Sequence, residues 1–187
     1  MPTTPSPARS SSSSTGLRLP TAWAYTSRWA IISRPMEEKD CLSRLQKLCS
    51  KAEYCEADVY KKALKYMDSD AEAAARITRS LVEERYVDDL RFAGAYVREK
   101  ANIQGWGPVK IRFQLRAKGV KDAVIGEALG EIEPRKAGEK LDRLMAAKAK
   151  SLKGDPQLRL KLLRFGLSRG YGYEDVEASL GRIKNNA

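Results

Sequence analysis

The chain contains no histidine. That absence removes the side chain most often used as a general base near neutral pH, and with it every serine–histidine or cysteine–histidine nucleophile. Cysteine is scarce as well. Cys41, Cys49 and Cys55 form an odd, closely spaced set. A disulfide framework needs more cysteines and a secretory context, and a zinc site needs a fourth ligand that no histidine can supply. The three read as small buried side chains in a reducing cytosol. No run of about 18 apolar residues exists, so no transmembrane helix and no membrane partner is expected. Aromatic residues make up only 7% of 187, and proline thins out after residue 36. Such a mix suits an exposed helical protein better than one large compact core. Gly105-Trp106-Gly107 lacks the longer glycine pattern and the Lys-Ser/Thr end of a phosphate-cradling loop. No catalytic constellation stands out, and neither enzyme activity, cofactor nor metal is expected.

Positive charge is abundant. The net charge is +11, and Arg9, Arg18, Arg28 and Arg34 are the only charged residues before Met36. Subtracting those four from +11 leaves +7 for residues 36–187. A basic surplus favours a polyanionic partner such as nucleic acid. The alternative is a generally solvated basic surface.

Residues 1–36 are low in complexity. Five serines, Ser10 to Ser14, follow Pro2, Pro5 and Pro7. A segment of this composition cannot bury enough apolar surface to offset its ordering entropy, so it is expected to be disordered. Its arginine- and serine-rich, acid-free character also fits a transit peptide by composition. Met36-Glu37-Glu38-Lys39 reads as an alternative start, which would make residues 1–35 a disposable tail or a mis-assigned beginning.

Beyond that point the apolar spacing is helical. Cys41, Leu42, Leu45, Leu48 and Cys49 give one stripe. Tyr60, Ala63, Leu64 and Met67 give a second, and Ala74, Ile77, Leu81 and Val82 a third. Asp88 and Asp89 suit a helix start better than a metal site, and Phe92, Ala93, Tyr96 and Val97 form the face that follows. Gly105-Trp106-Gly107-Pro108 breaks that helix, and Pro108 suits the first turn of the next. Val109 to Ala117 alternates strictly and in isolation would read as a strand. As a helix it places Val109, Phe113 and Ala117 on one side and Ile111 and Leu115 on the other, both buried if it is wedged between neighbours. Gly119 ends it. Val124, Ile125, Ala128, Leu129 and Ile132 form the next face. Leu141, Leu144, Met145 and Leu152, then Leu158, Leu162, Leu163, Phe165 and Leu167, then Val176, Leu180 and Ile183, mark three more helices. Setting Gly119 against Gly170 aligns Lys118 with Arg169, Ile125 with Val176 and Ile132 with Ile183, an internal repeat. The expectation is an all-α chain of tandem three-helix repeats, about nine helices, divided as 37–87, 88–133 and 134–187. Stacking lets thin cores share apolar faces. Trp106, Tyr171 and Tyr173 sit at helix junctions, where sealing a small core is favoured over stacking on bases.

Asp88-Asp89, Arg91-Phe92-Ala93, Tyr96-Val97, Gly105-Trp106-Gly107-Pro108, Lys110-Ile111, Leu115 and Lys118-Gly119-Val120, in this order and spacing, resemble the RecX family. The resemblance runs from about Leu42 to Ile183. The chain departs from the usual pattern at Ala52-Glu53-Tyr54-Cys55, at Tyr86 and at Gly172. The resemblance implies an elongated, curved array of helical repeats. It makes Asp88, Asp89, Arg91, Phe92, Ala93, Gly105, Gly107, Gly119 and Gly170 motif residues with mainly structural roles. It further implies a cytoplasmic regulatory protein that docks on the RecA recombinase filament and the single-stranded DNA within it, and an elongated monomer is the default expectation. Such a protein modulates, and mostly inhibits, the activity of the recombinase in recombination, DNA repair and the SOS response.

Basic residues crowd two regions. Lys110, Arg112, Arg116, Lys118 and Lys121 lie on and after the middle helix of the second unit. Lys148, Lys150, Lys153, Arg159, Lys161, Arg164 and Arg169 lie in the third. Lysine and arginine at this density suit phosphate oxygens or acidic protein surfaces. Lys110, Arg112, Arg116, Lys118, Lys121, Lys161, Arg164 and Arg169 are the candidate partner- or DNA-binding residues. A stand-alone nucleic-acid-binding protein is the alternative to a filament regulator, and a helical scaffold is a third.

Overall fold

The computed structural model describes residues 36–185. The disorder, transit and start-site expectations for residues 1–35 fall outside them. The described residues are all-α with no strand. In order they form α1 (Glu38–Cys49), α2 (Glu56–Tyr66), α3 (Ala71–Glu83), α4 (Asp89–Arg98), a π-helical segment (Glu99–Ile103), α5 (Pro108–Ala117), α6 (Asp122–Gly130), α7 (Pro134–Ser151), α8 (Leu158–Ser168) and α9 (Tyr173–Asn185).

Local chemistry sets most of these boundaries. The Asp70 carboxylate accepts from the N–H groups of Glu72 and Ala73, and that of Asp88 from Leu90 and Arg91. Each such cap satisfies donors the helix leaves orphaned and is worth about 1 kcal/mol. Pro108 and Pro134 occupy first helical positions, where no N–H is required. At the other ends Gly119 and Gly170 turn left-handed, at φ 86° and 87°. This lets the Val120 N–H reach back to the Leu115 carbonyl and the Tyr171 N–H to the Gly166 carbonyl. α3 ends by the same bond, Tyr86 N–H to the Leu81 carbonyl at 2.9 Å, with Arg85 at φ 59° where the other two use glycine.

Three apolar clusters lie along the chain. The first gathers Cys41, Leu45, Val59, Ile77 and Leu81 from α1–α3. Phe92, Val97, Ile111, Leu115 and Ile125 from α4–α6 form most of the second. The third joins Leu141, Met145, Leu162, Val176 and Leu180 from α7–α9. A fully buried Leu or Ile contributes about 1.5–3 kcal/mol, so each cluster alone is a modest core.

Two sequence expectations are corrected here. The alternating segment is a helix, but it buries one side only. Ile111 and Leu115 are fully buried, whereas Val109 is 59% and Phe113 66% exposed. Among the described residues no second neighbour covers the outer face, so the wedge expected from the alternation does not form there. Tyr171 is core, as its junction position suggests, but Tyr173 is 60% exposed because it opens α9 beyond the cluster.

The helix groups meet through helix ends. Where α8 stops and α5 starts, the Gly107 N–H donates to the Arg169 carbonyl at 2.9 Å and the Val109 N–H to the Gly170 carbonyl at 3.0 Å. Orphan donors of one helix thus satisfy orphan acceptors of another. The approach leaves no room for side chains. A Cβ on Gly107 would lie 2.2 Å from the Gly170 carbonyl oxygen, and one on Gly170 would lie 2.2 Å from the Lys110 Cβ. The end of α5 meets the start of α2 in the same way, and a Cβ on Gly119 would lie 2.9 Å from that of Ala57.

Gly170→Ala is expected to lower the thermal midpoint by several degrees. The left-handed backbone alone costs roughly 1–2 kcal/mol in a non-glycine residue, before any overlap with Lys110. Gly126→Ala, in α6 with open space around its Cα, is expected to raise the midpoint, because alanine gains about 0.5–1 kcal/mol over glycine inside a helix. Calorimetry of both variants checks the pair. Equal shifts would show that the joint does not depend on glycine.

Candidate interaction surface

The eight candidate cations separate into fastened and free. Lys118 lies against Asp58 of α2 at 2.8 Å, with its ammonium 5.5 Å from the Phe92 ring. Arg169 donates to the Gln104 carbonyl at 2.9 Å and stands over the Phe165 ring. Lys110 sits 4.5 Å over the Trp106 ring and reaches the Ser168 carbonyl at 3.4 Å. These three tie one helix group to the next or seal a joint. Arg116 holds both carboxylate oxygens of Asp122 through its Nε and Nη2, and Lys161 pairs with Asp155. Arg112, Lys121 and Arg164 have no hydrogen bond or ion pair among the described residues. Arg112 acts on Asp122 only through space. Lys121 and Arg164 are exposed, and Arg112 is half-buried.

The motif residues all lie at helix ends or in the second cluster. Asp88 caps its own helix. Asp89 does something the sequence does not reveal: its carboxylate accepts from the Glu56 N–H at 2.8 Å and so caps α2, 33 residues earlier. Arg91 pairs with Glu53 at 2.7 Å and donates to the carbonyls of Arg85 and Tyr86, closing the end of α3. Phe92 and Ala93 are buried in the second cluster. Gly105 is left-handed at φ 64°, and a Cβ there would meet Leu144 of α7 at 2.8 Å. It follows the π-helical segment, whose wide turn lets the Trp106 N–H donate back to the Lys100 carbonyl at 2.9 Å. Trp106 is half-buried beneath the ammonium groups of Lys100 and Lys110.

A cleft flanks each joint. One of about 480 Å³ lies between Trp106, Pro108, Lys136, Lys140 and Tyr171. Another of about 520 Å³ lies beside Ala57, Arg79, Gly119 and Lys121. Among the described residues no three cysteine, aspartate or glutamate side chains gather where they would hold a metal ion. No helix there is long and apolar enough to cross a membrane. All three cysteines are buried and unbridged. Burial pushes the Cys55 thiol up to about 11. It therefore stays protonated and points at the Lys118 carbonyl, 3.5 Å away across the joint.

Comparison with known proteins agrees with this geometry. Residues 88–129 match the family model for the second three-helix domain of RecX. The chain is 29% identical to regulatory protein RecX of Clostridium tetani over 147 residues, spanning 76% of this chain and 67% of that protein. A crystal structure of regulatory protein RecX superposes with a TM-score of 0.70 at 27% identity, over 79% of this chain and 71% of that one. These matches liken the chain to the RecX family over most of its described residues. Regulatory protein RecX of Bacillus mycoides is 31% identical over 113 residues, 59% of this chain and 42% of that protein. The chain therefore spans less than half the length of that RecX relative. RecX from Lactobacillus salivarius shares the fold, with a TM-score of 0.64 at 20% identity over 78% of this chain and 98% of that one.

One joint of this chain holds a carboxyl whose titration is coupled to folding. Burial alone would raise the Asp58 carboxyl, but hydrogen bonds from Lys118 and Cys55 outweigh it and hold the group below the usual range. A depressed folded value contributes stability that is complete above the unfolded value, near about 4, and is lost as pH falls through the folded one. Urea midpoints are expected to drop between about pH 5 and pH 2. In Asp58→Asn that drop is expected to be shallower, since the variant lacks the titrating group. Parallel pH profiles for the two chains would exclude this linkage.

Proposed function

We propose that this protein is a cytoplasmic regulator that binds the RecA recombinase assembled on single-stranded DNA and restrains its activity in recombination, DNA repair and the SOS response. The observation that carries the reading is the set of cations left without internal partners, the exposed Lys121 and Arg164 and the half-buried Arg112, on a fold shared with RecX whose residues 36–187 carry +7 of the chain's +11. Cations held only by solvent are available to acidic protein surfaces and to phosphate oxygens. Their distribution over two helix groups suits a partner that is itself repetitive, such as a filament. The relatives named regulatory protein RecX support the same reading. Nothing in it requires a reacting residue. Affinity comes from many modest contacts, and a monomer suffices to make them.

The discriminating measurement is the single-stranded-DNA-dependent ATPase of a RecA recombinase, with naked-DNA affinity followed in parallel. Inhibition is expected below one molecule per recombinase protomer, with weak binding to naked DNA. The double variant Arg112→Glu/Arg164→Glu is expected to need about tenfold more protein for the same inhibition, the equivalent of 1.4 kcal/mol. An unaffected ATPase with tight, steeply salt-dependent DNA binding would replace the filament reading with that of a stand-alone nucleic-acid binder.

A further inference from the structure

Eight large apolar side chains are exposed among the described residues, and four of them, Val109, Phe113, Leu160 and Leu167, lie on α5 and α8. Their placement follows a rule. α5 turns Ile111 and Leu115 to its core, and α8 turns Leu162 and Gly166. Each helix thus spends positions i and i+4 inward, and positions two before and two and five after the first point away. On α5 those positions are Val109, Phe113 and Arg116; on α8 they are Leu160, Arg164 and Leu167. The two helices meet end to end through the bonds of Gly107 and Val109 to the carbonyls of Arg169 and Gly170. Val109 and Leu167 therefore bracket the joint. The outward sides of both helices carry apolar side chains, with the unpaired Arg164 among them on α8 and the unpaired, half-buried Arg112 flanking them on α5.

We infer that this outer face of α8 and α5 docks an acidic, amphipathic segment of a protein partner, with apolar side chains seated on Leu160, Leu167, Val109 and Phe113 and carboxylates on Arg112 and Arg164. Charge selects the partner's sign. A second copy of the chain would set arginine against arginine, and residues 1–35 hold four arginines and no acid. The apolar content selects protein over nucleic acid. Bases stack on aromatic rings, and Phe113 is the only ring of the four. Leucine and valine offer a phosphate or a base edge nothing comparable to what they offer another apolar side chain. Exposed apolar groups rimmed by charge are the usual signature of a protein-docking site. The inference rests on the filament-regulator reading for the partner's biological identity, but the chemistry of the face is independent of it.

The test uses the full chain and three fluorescein-labelled probes without recombinase. One is an acidic peptide with leucines at i, i+3, i+4 and i+7 spacing. The second is the same peptide with glutamine for every leucine, and the third is an oligo-dT. Anisotropy is expected to show the leucine peptide binding at least about tenfold tighter than the glutamine one. Phe113→Asp and Leu167→Asp are each expected to abolish that difference, with an unchanged melting curve because both side chains face solvent. Equal binding of the two peptides, or undiminished binding by the variants, overturns the inference. So does oligo-dT that competes with the leucine peptide in a Phe113-dependent way, or sedimentation that shows a Phe113-dependent dimer. With no recombinase present, failure here leaves the filament reading standing, and an unaffected ATPase leaves the docking face standing.

Discussion

The constraint on which the rest depends is the fit between the end of one middle helix and the start of another. α5 begins with N–H groups that have no partner within the helix, and α8 ends with carbonyls in the same position. The Gly107 and Val109 donors meet the Arg169 and Gly170 acceptors directly. Backbone can approach backbone this closely only where both chains lack Cβ, so a glycine stands on each side. Unpaired backbone groups in a buried site would each cost energy comparable to a lost hydrogen bond. The joint removes that cost for two donors and two acceptors at once. Three modest cores are thereby held in sequence without any one of them growing large.

The α2–α5 joint solves the same problem with different chemistry. Cys55 stands where α5 has Gly107, and its thiol, not its N–H, faces the partner carbonyl. The free Glu56 N–H is taken up by the Asp89 carboxylate. Lys118 and Asp58 add an ion pair across the gap. Gly119 supplies the left-handed turn, as Gly170 does in the other joint. A repeated architecture thus tolerates exchange of backbone bonds for side-chain bonds, provided the glycine that lets the helix end come close is kept.

The features legible in the sequence were those set by local chemistry. Asp88, Pro108 and Gly119 act on the helix they adjoin, so the reading along the chain marks those helix boundaries. Groups acting across the fold were not legible. Asp89 looks like a second cap for its own helix and serves another. Gly107 reads as part of a break, whereas its reason is a carbonyl 63 residues further on. The π-helical segment leaves no compositional mark. Val59 is fully buried in the first core, one turn before Ala63, although the stripe of Tyr60, Ala63, Leu64 and Met67 does not include it. The burial of α5 was misjudged for a related reason. Alternation specifies that two sides are apolar, but whether a neighbour lies against each side is decided by topology.

Charge was the least legible feature. Density along the chain identified Lys110, Lys118 and Arg169 on the same grounds as Arg112 and Arg164, yet the first three are fastened to ring faces, carbonyls or carboxylates on other elements. Lys118 and Asp58 are sixty residues apart, beyond the reach of any helical spacing rule. Among the described residues the cations that remain free are Arg164, on the outer side of α8, Lys121, just before α6, and Arg112, on the flank of α5. Position therefore governs both halves of the outward face. The spacing that sends Ile111, Leu115 and Leu162 inward fixes the direction of Phe113 and Arg164. Because those inward side chains are fully or almost fully buried, the outward ones are carried on helices that cannot rotate without exposing core. A face built this way is pre-organised, and a partner that meets it need not supply the free energy of ordering it.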